Sequence, residues 1–296
     1  MRKTLLLASS LLGLVACQQK PVETPAPEPV VDTVKTVVDT VANDPVVPVA
    51  PRLPMYDTEI FSYDTAYFVD PNNQQHKFVK YKTILVMPSR NDSDKLVNDI
   101  RFDIMHFAAD RVMTDPVVAT AGYFAAVATQ FKTEFRAAND FSKSRYFDWS
   151  VARFTKLAYQ DSRLFCVAKG LYENKGNNPL YGLSYSNWDK KLKEKIEFET
   201  LFYEKDVEDI RGVLVDCMVK SYGVADEASL ETKGISPEQI SPSNKFLLTK
   251  DTIYFVYSPY ELGVDAERSI KIPVANKQLG QYMDRSKSIV RYLLED

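Results

Sequence analysis

Residue types that carry catalysis are sparse in this chain of 296 residues. Histidine occurs twice, at His76 and His106, in different elements and without a His-Glu-x-x-His or zinc-finger pattern, so both read as surface or helix residues and no metal is expected. Gly182-Leu183-Ser184-Tyr185-Ser186 matches a nucleophile elbow only in its first three positions. Ser186 stands where the closing glycine belongs, and the segment reads as a strand with no following helix. With ten glycines in all, no phosphate-cradling loop is visible and no cofactor is expected. Carboxylate pairs could serve glycan hydrolysis, but most of the 40 acids belong on solvated faces. Glu261, set beside tyrosines in Tyr257-Ser258-Pro259-Tyr260-Glu261, is the acid that stands out.

Cysteine chemistry is more telling. Arg2 and Lys3 precede an apolar run from Leu5 to Val15, the layout of a secretory leader. It ends in Leu14-Val15-Ala16-Cys17, which is similar to a bacterial lipobox: a small residue before a cysteine whose thiol takes a diacylglycerol. Cleavage would remove Arg2 and Lys3 and no acid, moving the formal net charge from −3 to −5. That balance disfavours nucleic acid, whose phosphates need clustered cations. The expected membrane contact is therefore lipid, with the bilayer as partner through acylated Cys17. The expected location is the cell envelope, at an outer membrane facing the periplasm or the surface. Cys166 and Cys217 remain; in an oxidising compartment they could form a disulfide, or both could be small buried hydrophobes.

The elements that must position any site begin well past the leader. No aromatic residue precedes Tyr56, and seven prolines fall within residues 18–51, so that stretch reads as a solvated tether with a reach of about 100 Å. No apolar run is long enough for a chain of spanning helices. The layout is a signal peptide over 1–16, lipidated cysteine and tether over 17–51, and two lobes at 52–189 and 190–296. Alternation predicts strands over 60–67, 78–87, 147–151, 164–172 and 181–189, with Asn177-Asn178-Pro179 as a turn. Helical period predicts one helix through Leu96, Ile100 and Ile104, a second through Phe124, Val127 and Phe131, and a third through Ile210, Leu214 and Met218. A hairpin is expected over 246–257 turning at Lys250-Asp251, then a strand over 269–274 and one closing helix over 278–294. The class is α+β, mainly antiparallel, in two lobes.

Asn244 to Leu262, with its hairpin, aromatic strand and Tyr257-Ser258-Pro259-Tyr260-Glu261-Leu262, resembles the signature of a domain-of-unknown-function family. The family is shared by the extracellular lysozyme-binding domain of the anti-sigma-V factor and the non-catalytic N-terminal region of a peptidoglycan deacetylase. Ser258 stands where the family has Asn. Ile270 to Val274, Tyr185 to Asp189 and Phe198 to Phe202 extend the likeness over about residues 56–285. Lys175-Gly176-Asn177-Asn178 replaces the companion domain's histidine-bearing turn. The resemblance implies an envelope domain that binds an envelope protein or glycan; the alternative is a carboxylate-dependent hydrolase or deacetylase of wall glycan. Tyr257, Pro259, Tyr260 and Glu261 are the candidate ligand-binding lip, because tyrosine offers a rigid apolar face with a polar tip.

Overall fold

The structure, a computed structural model, describes residues 55–72, 74, 76–110, 114–176, 179–258, 260–263 and 269–295. Cys17, the tether, Asn177-Asn178 and Pro259 lie outside the described residues. Strands β1 (Thr58–Phe68) and β2 (Phe78–Pro88) pair antiparallel, and β2 buries Val79, Tyr81, Thr83, Leu85 and Met87 on one face. Three helices follow: α1 (Lys95–Ala109), α2 (Pro116–Ala137) and α3 (Asp140–Arg145). The Asp94 carboxylate caps α1 by accepting from the Leu96 amide, and Asp115 caps α2 with Pro116 in the first turn. Leu96, Ile100 and Ile104 of α1, and Val127, Ala128 and Phe131 of α2, are buried as the helical period requires.

The chain then returns as β3 (Asp148–Gln160), β4 (Leu164–Lys175), β5 (Pro179–Asp189) and β6 (Glu194–Ile196). Sheet order is β1-β2-β3-β4-β5-β6. Every neighbouring pair is antiparallel except β2 with β3, where the helical crossover allows a parallel join. α1 and α2 cover one face of this sheet. Their stripes meet Leu85, Met87, Phe165 and Trp188 at one end, and Tyr81, Phe147, Trp149 and Val151 at the other. Phe131 sits edge-on to Trp149 at 5.2 Å and to Phe147 at 5.6 Å, contacts of about 0.5–1.5 kcal/mol each beyond area burial. Buried Arg153 of β3 pins the helices down: it pairs with both Asp110 oxygens at 2.9 Å and donates to the Tyr123 hydroxyl at 2.9 Å.

Beyond β6 come α4 (Phe198–Leu201), α5 (Val207–Tyr222), and a second sheet of β7 (Phe246–Leu248), β8 (Thr252–Tyr257) and β9 (Ile270–Ala275) in that order, both pairs antiparallel. The hairpin turns at Lys250-Asp251 as expected. Apolar residues of α5, Ile210, Leu214 and Met218, share a core with Phe255 and Ile272 of this sheet and with Leu164 and Cys166 of β4. The second sheet thus covers one end of the first sheet's other face, where Val256 meets Ala168 and Tyr185. The described residues belong to one compact unit of α+β class.

The expected closing helix over 278–294 is instead α6 (Asn276–Leu279) and α7 (Ser288–Leu294), with a looped segment between. The reason is tertiary. The Asp284 amide donates to the Leu201 carbonyl at 2.9 Å, and Met283 bridges to Phe202, so those backbone groups are withdrawn from a helix. The Asp284 carboxylate accepts from the Ser286 amide and the Tyr203 hydroxyl, a local bond that competes with helical pairing.

Candidate functional site

The segment after β8 divides by role. Tyr257 is 1% exposed and its hydroxyl donates to the Ser241 carbonyl at 2.7 Å, so its ring and its polar tip are both used internally. Burial pushes this phenol well above its ordinary value. Glu261 Oε2 accepts from the Ser258 amide at 2.7 Å and from Lys245 Nζ at 2.8 Å, closing the turn. Burial works to raise the Glu261 pKa, but these bonds outweigh it and hold the carboxylate below its ordinary range. Leu262 is buried beneath the turn. Tyr260, at 59% exposure and a left-handed φ of 68°, is the described member of the predicted lip that shows its ring to solvent. The aromatic and acidic types read as a lip are thus largely engaged in the corner itself.

That geometry sets a pH dependence. A carboxylate whose folded pKa is lowered stabilises fully above its unfolded value of about 4.5, and the contribution vanishes as pH falls through the folded pKa. Glu261→Gln should therefore melt below the wild type at pH 7, and the gap should narrow as pH falls below 4.5. A gap unchanged by acid would show that the turn does not depend on the charge.

The other sequence candidates lie apart. Cys166 and Cys217 are not joined; both are free thiols. Cys166 is fully buried with Sγ 3.2 Å from the Leu248 carbonyl, while Cys217 faces Gln278 from α5. Of the two readings left open, each cysteine acts as a small packing residue. Burial drives the Cys166 thiol far above its ordinary value, which keeps it protonated and unreactive. His76 is exposed beside Asp148 at 3.1 Å, and His106 is exposed on α1. Among the described residues no three His, Cys, Asp or Glu side chains converge as a metal site. Ser184 lies within β5, with no elbow. A cleft of about 560 Å³ between α1 and β6 contains Asp99 and Asp103, but Asp99 pairs with Lys95 and Asp103 with buried Lys169 at 2.5 Å.

An aromatic surface that sequence reading passed over lies on the part of the first sheet left open by the second. Strand register puts Ile84, Phe154, Gly170 and Leu183 in one row across β2 to β5, and Lys82, Ala152, Tyr172 and Tyr181 in the next. Phe154 is 42% exposed, and Ile84 and Tyr181 are each 38% exposed. The Phe154 ring lies over Gly170 on the neighbouring strand, where any Cβ would overlap it. Glycine here lets the ring lie flat against the backbone and turn its other π face outward. Tyr172 and Tyr181, directly opposite one another, meet at 5.1 Å between centroids with their planes tilted by 47°. Together with Leu171, Leu183 and Ser269 these rings line a shallow depression of about 450 Å³. The available signal was phase. Phe154 falls between inward-facing Arg153 and Thr155, where an ordinary half-covered strand carries a polar residue.

No family model and no curated protein sequence matches the chain. Solved structures do. A DUF3298 family member from Bacteroides fragilis superposes with a TM-score of 0.73 over 83% of this chain and 100% of its own, at 14% identity. The fold is that of the DUF3298 proteins. A DUF3298 family protein from Pseudomonas aeruginosa PAO1 superposes with a TM-score of 0.57 over 82% of this chain and 98% of its own, at 12% identity. At these identities the likeness is one of fold, and it agrees with the resemblance to a domain-of-unknown-function family carried by residues 244–274. In this chain the aromatic rows lie on a face of the first sheet, and the Tyr257-to-Glu261 corner follows a strand of the second.

Proposed function

We propose that this protein is a lipid-anchored component of the bacterial cell envelope, held by Cys17 at the outer membrane, whose folded body binds an envelope protein or glycan. The observation that carries the binding role is the Phe154, Tyr172 and Tyr181 platform. Apolar rings grouped on one open sheet face are hydrated unfavourably, a cost that a covering ligand removes, and such patches mark interaction sites. The leader, the Leu14-to-Cys17 box and the proline-rich stretch supply an anchor and a spacer that would hold this face away from the bilayer.

Fractionation and co-sedimentation test both halves. Wild-type protein should partition with membranes and should sediment with isolated, lipid-extracted envelope material when added in detergent. Cys17→Ser should move to the soluble fraction. Phe154→Ala should lose at least 10-fold in sedimentation affinity, and Gly170→Ala, which keeps the phenyl ring but forces it off the strand, should lose in the same direction. Full binding by both platform variants would sink the assignment of this face.

A further inference from the structure

Building on the reading of this face as a binding surface, we infer that its ligand is an anionic glycan: a chain of sugar rings carrying carboxylates. Two features of the face act together. The first is a run of aromatic rings. Phe154 lies over Gly170, and in the next row Tyr172 and Tyr181 meet at 5.1 Å between centroids with their planes tilted by 47°. A π face is electron-rich, so it attracts the weakly positive C–H bonds on the apolar side of a sugar ring. Rows along a strand repeat every two residues, about 7 Å, so Phe154 and the tyrosine pair form neighbouring platforms and not one point contact.

The second feature is charge. Lys82 continues the Tyr181, Tyr172, Ala152 row across the sheet, two strands beyond Tyr172, or about 10 Å further on. Lys80 stands one row along from it with Nζ 4.2 Å above the Phe78 ring. On the opposite flank Lys156 is exposed, and Lys271 Nζ lies 5.6 Å from the Tyr185 ring centroid. Asp64, across from Lys82 on β1, is the acid in these rows. The chain as a whole carries a formal charge of −3, so this is a cationic rim around an aromatic floor on an acidic protein. A ligand lying across the strands would stack rings on Tyr181 and Tyr172 and bring a negative group to Lys82. Lysine suits this role as a strongly hydrated point charge with three donors and no demand for bidentate geometry. The arrangement asks for rings and carboxylates in one polymer.

Calorimetric titration of the full chain in detergent with three probes separates these requirements: oligogalacturonate, its methyl ester, and polyglutamate. The acid oligosaccharide should bind at least 10-fold more tightly than the ester, and polyglutamate should not compete. Lys82→Gln should bring the acid form down to the level of the ester without moving the melting temperature. Phe154→Ala should weaken both sugars by at least 10-fold. Equal affinity for acid and ester, or polyglutamate binding as tightly as the sugar, overturns the inference. If no sugar binds while envelope sedimentation still depends on Phe154, the ligand class is wrong and the binding face stands; if sedimentation is lost as well, both fall.

Discussion

Asp189→Ala is expected to destabilise the fold by about 3–5 kcal/mol, because it breaks a buried ion pair. Asp189 is 1% exposed and receives Arg163 through two parallel bonds, Nε to Oδ1 at 2.9 Å and Nη2 to Oδ2 at 2.7 Å. Oδ1 also accepts from the amides of Lys191 and Leu192, so the carboxylate orders the turn between β5 and β6. Arg163 Nη2 continues to Ser288 Oγ at 2.7 Å, tying the start of α7 to the first sheet. Truncation leaves a buried guanidinium without its counter-charge, which is the costly way to break such a pair. Removing both charges is less costly, because no uncompensated ion remains. Arg163→Met with Asp189→Leu should therefore be more stable than Asp189→Ala alone, recovering part of the loss but not the two turn amides. Urea denaturation of the three proteins decides it. A loss below about 1 kcal/mol for Asp189→Ala would mean water reaches the pair and the buried reading is wrong.

The contrast between what alternation reveals and what it hides follows from which partners are local. β2 and α1 were legible because Val79, Tyr81 and Leu85, or Leu96, Ile100 and Ile104, encode their own buried face at the period of the element. The parallel join of β2 to β3 was not, since nothing in either strand names its neighbour. Tyr257 and Glu261 illustrate the same limit at a site. Their types fit a binding lip, yet the bonds that occupy them come from Ser241 and Lys245, which sequence cannot bring alongside. The closing helix failed for a similar reason, as Asp284 finds Leu201 and not the next turn. The aromatic platform is the reverse case. Each ring alone is an ordinary strand residue, and only the cross-strand register assembles Phe154 over Gly170 beside Tyr172 and Tyr181.

Register also exposes how the two sheets are joined, and a second large effect follows. β7 is an edge strand, so its outward amide and carbonyl need partners if they are buried. Asn187, 2% exposed on β5, supplies both: its Nδ2 donates to the Phe246 carbonyl at 2.8 Å, and its Oδ1 accepts from the Leu248 amide at 2.9 Å. One side-chain amide thus stands in for a missing strand. Asn187→Leu keeps the volume and strands both groups, each costing about 1–3 kcal/mol, so a loss of about 3 kcal/mol or more is expected at pH 7. Asn187→Asp makes the sign of the argument visible. An ionised carboxylate can still accept from Leu248 but turns an oxygen toward the Phe246 carbonyl, whereas the protonated acid can donate there. Burial raises the folded-state pKa of such a group, so its folded form binds more protons than its unfolded form, and its stability deficit should shrink as pH falls from 7 to 5. Asn187→Leu, with nothing to titrate, should show a deficit that does not change over that range. Denaturation curves at the two pH values, with amide exchange at Leu248 as a local probe, test both variants. A deficit that is the same for Asn187→Asp at pH 7 and pH 5 would mean that the Phe246 carbonyl is satisfied by something other than this side chain, and that the sheets are held together by their apolar contacts alone.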